Sequence, residues 1–149
     1  MIKSIQTKKV GIEMKLSSKS RYGINAMYHI AINNSRDYIS LTELAKITNV
    51  SQPYLEKVMG ALKQKGLIDA NRGAQGGYKL NSNPSDITIG QILRALENDF
   101  AFTSCARSGN CTNLNCPSKG IYKTIYDRLN SVLDEITLKD MIDNKGDIL

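Results

Sequence analysis

Residues 40–66 read SLTELAKITNVSQPYLEKVMGALKQKG, and this stretch decides the fold. Ser40 and Glu43 have the spacing of a capping box, which starts a short helix, and Ser51 is placed to cap a second one. The second helix is expected to end at Gly66, because glycine readily adopts the left-handed backbone conformation that ends a helix. The positions predicted to face inward are Leu41, Leu44, Ala45 and Ile47 on the first helix and Leu55, Val58, Met59 and Leu62 on the second. Two short helices joined by a tight turn are typical of a helix-turn-helix.

A glycine-tipped hairpin is predicted directly after these helices. Residues 67–71 and 78–80 have the pattern of short strands, and the sequence RGAQGG lies between them at 72–77. Glycines accept backbone angles that other residues avoid, which suits a tight hairpin tip. The order of helix, turn, helix and hairpin is that of a winged helix.

Further helices are predicted on both sides of this unit. One extends over about 20–33, a capping box at 88–91 opens another, and a long helix over about 118–136 is followed by a short one near 138–142. The stretch 98–120 has little helical pattern. The expected fold class is therefore mainly α with a small β-hairpin wing, a winged helix-turn-helix plus a long dimerisation helix.

The long helix carries an apolar stripe that predicts a partner. Its members recur at helical spacing and are Ile121, Ile125, Leu129, Val132 and Ile136. A two-fold homodimer formed through this helix would place two recognition helices on successive major-groove turns, about 34 Å apart. The alternative is that the helix packs only on its own domain.

The charge is distributed unevenly along the chain. Residues 1–83 carry 13 Lys/Arg and 5 Asp/Glu, a net +8, whereas residues 84–149 carry 7 and 9, a net −2, which gives +6 in all. A basic first half suits a polyanion such as double-stranded DNA, although a merely solvated basic surface is the alternative. We therefore divide the chain into a flexible basic arm at 1–13, a winged helix-turn-helix DNA-binding domain at 14–83, and a cysteine-loop sensor and dimerisation region at 84–149.

The N-terminal residues of the second helix are candidates for base contacts, because this part of a recognition helix enters the major groove. Gln52 can form paired hydrogen bonds with adenine, and Glu56 can accept from cytosine N4. Ser51 and the amides beside it suit a phosphate, and Arg72 at the hairpin tip suits a minor groove. The candidate DNA-binding residues are Lys15, Lys19, Arg21, Ser51, Gln52, Tyr54, Glu56, Lys57, Arg72, Gly76 and Gly77. An ordinary helical hairpin with a solvated face is the alternative.

The three cysteines, Cys105, Cys111 and Cys116, are separated by five and four residues. This is not the C-x2-C pairing of a zinc ribbon. Three thiolates in so short a stretch suit an iron–sulfur cluster whose remaining iron position is filled from elsewhere. Zinc with a fourth ligand, and three unrelated thiols, remain open at this point. An odd number of cysteines in a chain without an export signal argues against structural disulfides.

Four stretches of the sequence resemble the iron–sulfur cluster regulator family, the IscR, NsrR and CymR type. They are MKLSSKSRYG at 14–23, VSQPYLEK at 50–57, GLI at 66–68 and RGAQGGY at 72–78. The resemblance covers about residues 14–145, and the three thiols place it closest to the IscR-like, cluster-binding branch.

This resemblance implies a homodimeric winged-helix transcription factor whose cluster state alters its affinity for an operator in double-stranded DNA. The three cysteines would bind the cluster, and we expect [2Fe–2S] rather than [4Fe–4S]. In the IscR branch a histidine three residues after the last cysteine completes the site, and Lys119 stands there in this chain. In NsrR-type members an aspartate of the partner's first helix does so, and Arg21 stands at the matching position. The fourth ligand is therefore left open, as is a cluster-free regulator that senses through thiol oxidation or zinc.

Several classes of function are excluded by the sequence pattern. No apolar run approaches the roughly 20 residues that cross a bilayer, so we expect no membrane partner and a cytoplasmic protein. No Ser/His/Asp, Cys/His or paired-carboxylate arrangement stands out, so we do not expect an enzyme.

Overall fold

A computed structural model of the chain describes residues 16–33, 37–97, 101, 103–109, 113 and 115–144. The predicted basic arm at 1–13, Lys15 and Cys111 lie outside the described residues. The helices and strands are α1 (Ser18–Ile32), α2 (Leu41–Thr48), α3 (Gln52–Gln64), β1 (Ile68–Asn71), β2 (Gly77–Leu80), α4 (Ile89–Leu96), α5 (Ser104–Ser108), α6 (Lys119–Glu135) and α7 (Leu138–Asp143), with a 3₁₀ turn at Pro84–Asp86 before α4. The predicted fold class, mainly α with a β-hairpin wing, is confirmed.

The helix-turn-helix is formed by α2 and α3. The Ser40 Oγ accepts from the Glu43 amide at 3.1 Å, as predicted for the start of α2. Asn49 takes the left-handed conformation that ends α2, with φ 54°, and Gly66 does the same after α3, with φ 74°. Ser51 is the N-cap residue of α3, but its side chain makes no capping hydrogen bond, so that part of the prediction is wrong.

The inward side of α2 differs from the prediction at one position. Ile47 is 44% exposed, so the expectation that it faces inward is wrong. Thr48 is buried instead, and its hydroxyl donates to the Leu44 carbonyl at 2.6 Å. The buried line runs through Leu44 and Thr48, four residues apart on one helix face, and Ile47 lies to the side of it.

The hairpin is joined to the helix-turn-helix by a third extended segment. β1 and β2 pair antiparallel with Ile68 opposite Leu80, and Ile39 pairs with Tyr78 on the other side of β2. The Ile39 and Tyr78 backbones exchange hydrogen bonds of 3.0 and 2.8 Å. A Cβ on Gly77 would lie 2.2 Å from the Ile39 carbonyl oxygen, so only glycine allows this close approach. The start of α2 and the base of the hairpin are thereby fixed together.

One hydrophobic core extends from α1 to α7. Its fully buried side chains include Met27, Leu44, Leu55, Val58, Met59, Leu62, Ile68, Ile92 and Leu138. Helix α1 lies at the centre and contacts α2, α3, α4, α7 and β2. Gly23 permits the contact with α4, because a Cβ there would lie 2.2 Å from Leu96 Cδ1. Elements of both halves of the sequence therefore share a single core.

The chain returns to this core after α6. Thr88 closes the predicted capping box of α4: its Oγ1 accepts from the Gln91 amide at 3.1 Å, and its own amide donates to the Gln91 Oε1 at 2.9 Å. Thr88 also pairs with Thr137 in an antiparallel bridge, in which the Ile89 amide donates to the Ile136 carbonyl at 2.8 Å. The start of α4 is thus held beside the end of α6.

The segment that contains the cysteines holds a short helix that the sequence pattern did not indicate. Helix α5 begins after Thr103, whose Oγ1 accepts from the Ala106 amide at 3.1 Å, and Gly109 ends it with φ 70°. A single turn has too few residues to show an apolar period, which explains the missed prediction. Helix α5 packs on α6.

Helix α6 is the long helix that the sequence predicts, and it is about 26 Å long. None of its described side chains is buried, and the most exposed apolar ones are Ile121 at 61%, Val132 at 51% and Ile125 at 48%. Arg94 of α4 pairs with Asp134 and donates to Asn130 at 3.1 Å, so polar contacts hold α6 to the core near its end. Among the described residues, no helix is long and apolar enough to span a membrane.

Candidate functional site

The first turns of α3 present a polar surface to solvent. Gln52, Glu56 and Lys57 are exposed, and the Gln52 Nε2 donates to the Thr42 Oγ1 at 3.3 Å, which links the starts of α2 and α3. Ser51 is exposed, and because its hydroxyl is not used for capping it is available to a ligand. This surface has the donors and acceptors that base edges and phosphates require.

Tyr54 has a different environment from its neighbours on α3. It is half-buried, and its ring packs edge-on against Tyr22 of α1, with 5.9 Å between centroids. The Tyr54 ring therefore anchors α3 to α1, and its part in a ligand surface is limited to the edge that remains exposed.

An open groove of about 960 Å³ separates α3 from the hairpin. Its polar lining comes from the start of α2, the outer side of α3 and the hairpin tip, and includes Thr42, Glu56, Lys63, Asn71 and Arg72. Burial and the negative charge of Glu56 raise the pKa of Tyr78, which also lines this groove.

The hairpin tip carries Arg72 in an exposed position beside Gly73, which has φ 111°. Close backbone contacts within the protein require glycine at positions 76 and 77. A Cβ on Gly76 would lie 2.5 Å from the Asn71 carbonyl oxygen, and Gly77 lies against Ile39 as described above. The shape of the hairpin thus accounts for both glycines.

The start of α1 carries two further predicted cations. Lys19 is half-buried, and Arg21 is exposed, with its Nη2 donating to the Ser18 Oγ at 3.5 Å. Ser17 is the N-cap of α1, and its Oγ accepts from the Ser20 amide at 3.1 Å.

Glu97, the C-cap residue of α4, lies against this helix start. Its Oε1 accepts from the Ser17 hydroxyl and, at 2.6 Å, from the Ser20 hydroxyl. Burial by itself would raise the pKa of Glu97, but the hydrogen bonds from the two serines and the charge of Lys19 outweigh it and lower that pKa. Sequence reasoning missed Glu97, because its partners lie about 80 residues away and no local pattern connects them.

The cysteine segment, residues 101–116, places two of the three thiols on adjoining elements. Cys105 is buried in α5, and its Sγ lies 3.2 Å from the Thr103 Oγ1. Cys116 is half-buried just before α6, and its carbonyl accepts from the Lys119 amide at 3.4 Å. Because α5 packs on α6, both thiols belong to one local unit.

The cysteine thiols of this segment are chemically suited to a soft metal centre, because iron–sulfur clusters are held by thiolates. The described part of the chain, which omits Cys111, contains no group of three or more His, Cys, Asp or Glu side chains placed to hold a metal ion. Lys119, at the first position of α6, is half-buried. The structure therefore places Cys105 in α5 and Cys116 just before α6, and it identifies no fourth ligand among the residues that it describes.

A helix-turn-helix, a hairpin wing beside its second helix, and a groove between them define a winged-helix transcription regulator. The chain belongs to the Rrf2 family, described as an iron-dependent transcriptional regulator, which matches residues 16–144. It is accordingly a DNA-binding regulator and not an enzyme.

Individual relatives agree with this family. The chain is 31% identical to the HTH-type transcriptional regulator IscR of Escherichia coli over 133 aligned residues. The aligned region covers 89% of this chain and 82% of that protein. The structure of IscR from T. potens is similar with a TM-score of 0.72 and 33% identity over 89% of this chain and 88% of that one. CymR, the global cysteine regulator of B. subtilis, is similar with a TM-score of 0.71 and 34% identity over 88% of this chain and 98% of that one. The chain is an IscR-like member of the family.

The lowered pKa of Glu97 predicts a contribution to stability that depends on pH. The unfolded chain binds the proton of this carboxyl more readily than the folded chain, so the contribution is present at neutral pH and is lost as the pH falls through the folded-state pKa. We expect Glu97→Gln to lose less free energy of unfolding on acidification than the wild type. Urea unfolding at neutral and acid pH measures the difference. Ser17→Ala, which removes one donor, should flatten the pH profile in the same direction, and a profile unchanged in both variants would contradict this assignment.

Proposed function

We propose that this chain is a homodimeric, sequence-specific transcription regulator whose DNA affinity is set by an iron–sulfur cluster bound through Cys105, Cys111 and Cys116. The observation that carries the proposal is that Cys105 lies in α5, which packs on α6, and Cys116 lies just before α6, the long helix that exposes Ile121, Ile125 and Val132 in the described part of the chain. The thiols are thus adjacent to the surface through which two copies would join, so a change at the thiols would be felt at that surface. Similarity to IscR supports the same assignment.

For DNA recognition, the exposed face of α3 would enter the major groove. Gln52 and Glu56 would read base edges, Ser51 and Lys57 would contact phosphates, and Arg72 would reach an adjacent minor groove from the hairpin tip. Lys19 and Arg21 at the start of α1, and Lys15 just before them in the sequence, would add phosphate contacts. Tyr54 would hold α3 in place, since its ring packs on Tyr22.

These roles predict two separable defects. Lys57→Gln should reduce the slope of log affinity against log salt by about 1, because one phosphate contact is lost. Gln52→Ala should leave that slope unchanged and weaken discrimination between sequences by about 1–3 kcal/mol. Fluorescence anisotropy on duplexes selected from a random pool measures both. Lys139→Gln removes the same charge from α7, where Lys139 pairs with Asp143, and serves as the control. Equal slopes for the wild type, Lys57→Gln and Lys139→Gln would contradict a phosphate contact at Lys57.

For assembly, α6 would pair with α6 of a second copy. Ile121, Ile125 and Val132 are the exposed apolar side chains that such a two-fold contact would cover. The contact would also fix the distance between the two α3 helices, which must match the spacing of successive major-groove turns.

Ile125→Glu is expected to give a folded monomer that loses affinity for a two-site duplex. The fold should persist because Ile125 is 48% exposed in the single chain and contributes little to its core. Ile32→Glu provides a matched control, since Ile32 is also 48% exposed but lies on α1. Light scattering gives the mass and circular dichroism the helix content. A monomeric wild type, or a dimeric Ile125→Glu variant, would refute this interface.

The three thiols would serve as cluster ligands, with the remaining iron position completed by a group that the sequence does not identify. When bound, the cluster supplies a centre that responds to redox state, nitric oxide or iron supply. The protein's own contribution is to bury Cys105 and to hold Cys116 at the start of α6. Thr103, within reach of the Cys105 sulfur, can donate a hydrogen bond to a thiolate there.

Native mass spectrometry of protein purified without oxygen tests the cluster. We expect iron and sulfide in equal number, two of each per chain for [2Fe–2S] and four for [4Fe–4S], and their loss when all three cysteines are changed to alanine. DNA binding by that variant should no longer respond to oxidation or nitric oxide. The protein could instead contain zinc or no metal after anaerobic reconstitution, with a response that thiol alkylation abolishes. That result would contradict the cluster and show sensing through thiols or zinc. The DNA-binding role would be unaffected.

A further inference from the structure

We propose that Arg94 is a positioning residue that determines which spacing of two DNA half-sites the dimer accepts. The inference rests on the proposed function, because it requires two copies joined through α6 and a recognition surface on α3. It assigns the relative orientation of these two helices to one polar contact between α4 and α6.

Arg94 contacts two successive turns of α6. Its Nη2 pairs with Asp134, and its Nη1 donates to the Asn130 Oδ1 at 3.1 Å. The Asn130 side-chain amide donates to the Tyr126 carbonyl at 2.9 Å, which leaves the side-chain oxygen to accept from Arg94. Because Asn130 and Asp134 are four residues apart, they lie on the same face of the helix. A planar guanidinium with two such partners therefore fixes which face of α6 is turned toward α4.

Gly90 of α4 makes room for this contact. A Cβ at that position would collide with the Asp134 carboxylate, and it would lie 2.8 Å from the Arg94 Nη2. Gly90 is buried and lies one turn before Arg94 on the same side of α4. A larger residue at position 90 would displace both charged groups, so the ion pair depends on this glycine.

The face of α6 that Arg94 contacts is opposite the apolar residues proposed for the dimer. The exposed apolar residues of α6 are Ile121, Ile125 and Val132. A helix turns about 100° per residue, which places each of them about 140–180° around the axis from Asn130 and from Asp134. None of the described side chains of α6 is buried, so little apolar packing opposes a different rotation of this helix about its own axis. The polar contact therefore decides that the apolar side of α6 is presented to a second copy.

Helix α4 connects this contact to the recognition helix. It contacts α3, and Ile92 and Leu96 of α4 lie in the same core as Leu55 of α3. The orientation of α6 relative to α3 is therefore fixed through α4 and Arg94. In a two-fold dimer the same orientation is repeated in the second copy, so a change in it alters the separation and direction of both α3 helices.

Duplexes with altered spacing between half-sites test this role. Wild-type, full-length protein selects a two-site duplex from a random pool, and one base pair is then inserted or deleted between the half-sites. This change moves one half-site by about 3.4 Å and turns it by about 35°. By fluorescence anisotropy we expect the wild type to lose about tenfold in affinity, as for a mismatched base pair. Arg94→Ala and Asp134→Ala should bind the selected duplex and each lose about threefold or less on the same change.

Lys123→Ala and Asp127→Ala are the matched controls. Lys123 and Asp127 also form an ion pair on α6, but they pair with each other within the helix. Partly exposed ion pairs contribute little to stability, so all four variants should fold, and both controls should keep the wild-type dependence on spacing.

Two features of the design separate geometry from other effects. Arg94→Ala and Asp134→Ala change the net charge in opposite directions, so an effect of charge on DNA affinity would have opposite signs in the two variants. A shared loss of the spacing preference therefore reports orientation. A merely structural role for Arg94 would weaken binding by the same factor at every spacing.

The outcomes separate this inference from the proposed function. An Arg94→Ala or Asp134→Ala dimer with the wild-type spacing preference overturns the role of Arg94 and leaves the regulator intact. A wild-type dimer that tolerates every spacing equally does the same, as does a monomeric Arg94→Ala protein, because Arg94 would then be required for assembly itself. Light scattering gives the mass of each protein. A wild type that is monomeric, or that binds no duplex, overturns the proposed function and this inference with it.

Discussion

The position of α1 is the constraint on which the rest of the structure depends. Its buried residues include Met27 and Ile30, and the helix contacts α2, α3, α4 and α7. Burial of each large apolar side chain contributes about 1.5–3 kcal/mol, so these contacts dominate the stability of the domain. Gly23 lets α4 approach closely enough for Leu96 to join the same core. The helix-turn-helix and α4, which precedes the cysteine segment, therefore share one supporting helix.

Local patterns were sufficient to predict much of this arrangement. The capping residues Ser40 and Thr88, the apolar stripe of α3 and the glycines of the hairpin each act within a few residues, and the structure has the expected elements at those places. The long helix α6 was likewise evident from its period. Such features are encoded by neighbours in the sequence, which is why a single sequence reveals them.

The predictions failed where tertiary contacts override local pattern. Ile47 fits a helical apolar stripe in the sequence, yet the packing of α2 buries Thr48 and leaves Ile47 exposed. Ser51 has the ideal residue type for a cap, yet its hydroxyl makes no such bond. The Glu97 contact with Ser17 and Ser20 joins residues about 80 positions apart, and α5 is too short to show a period. Within the candidate site, the exposed polar side chains of α3 could be predicted from the sequence. The groove and the Tyr22–Tyr54 contact could be seen only in the folded structure.

The bridge between Thr88 and Thr137 has a mechanical consequence for the long helix. Near its last turns α6 is held by this bridge and by Arg94, and from there it extends about 26 Å back to Cys116. Because α6 is one continuous helix, a rotation at this end would displace the other end. A tilt of about 10° at the bridge displaces the thiol end by about 4–5 Å over that length. Rotation of α6 about the bridge would therefore move the cysteine end of the helix much further than the end that contacts the core.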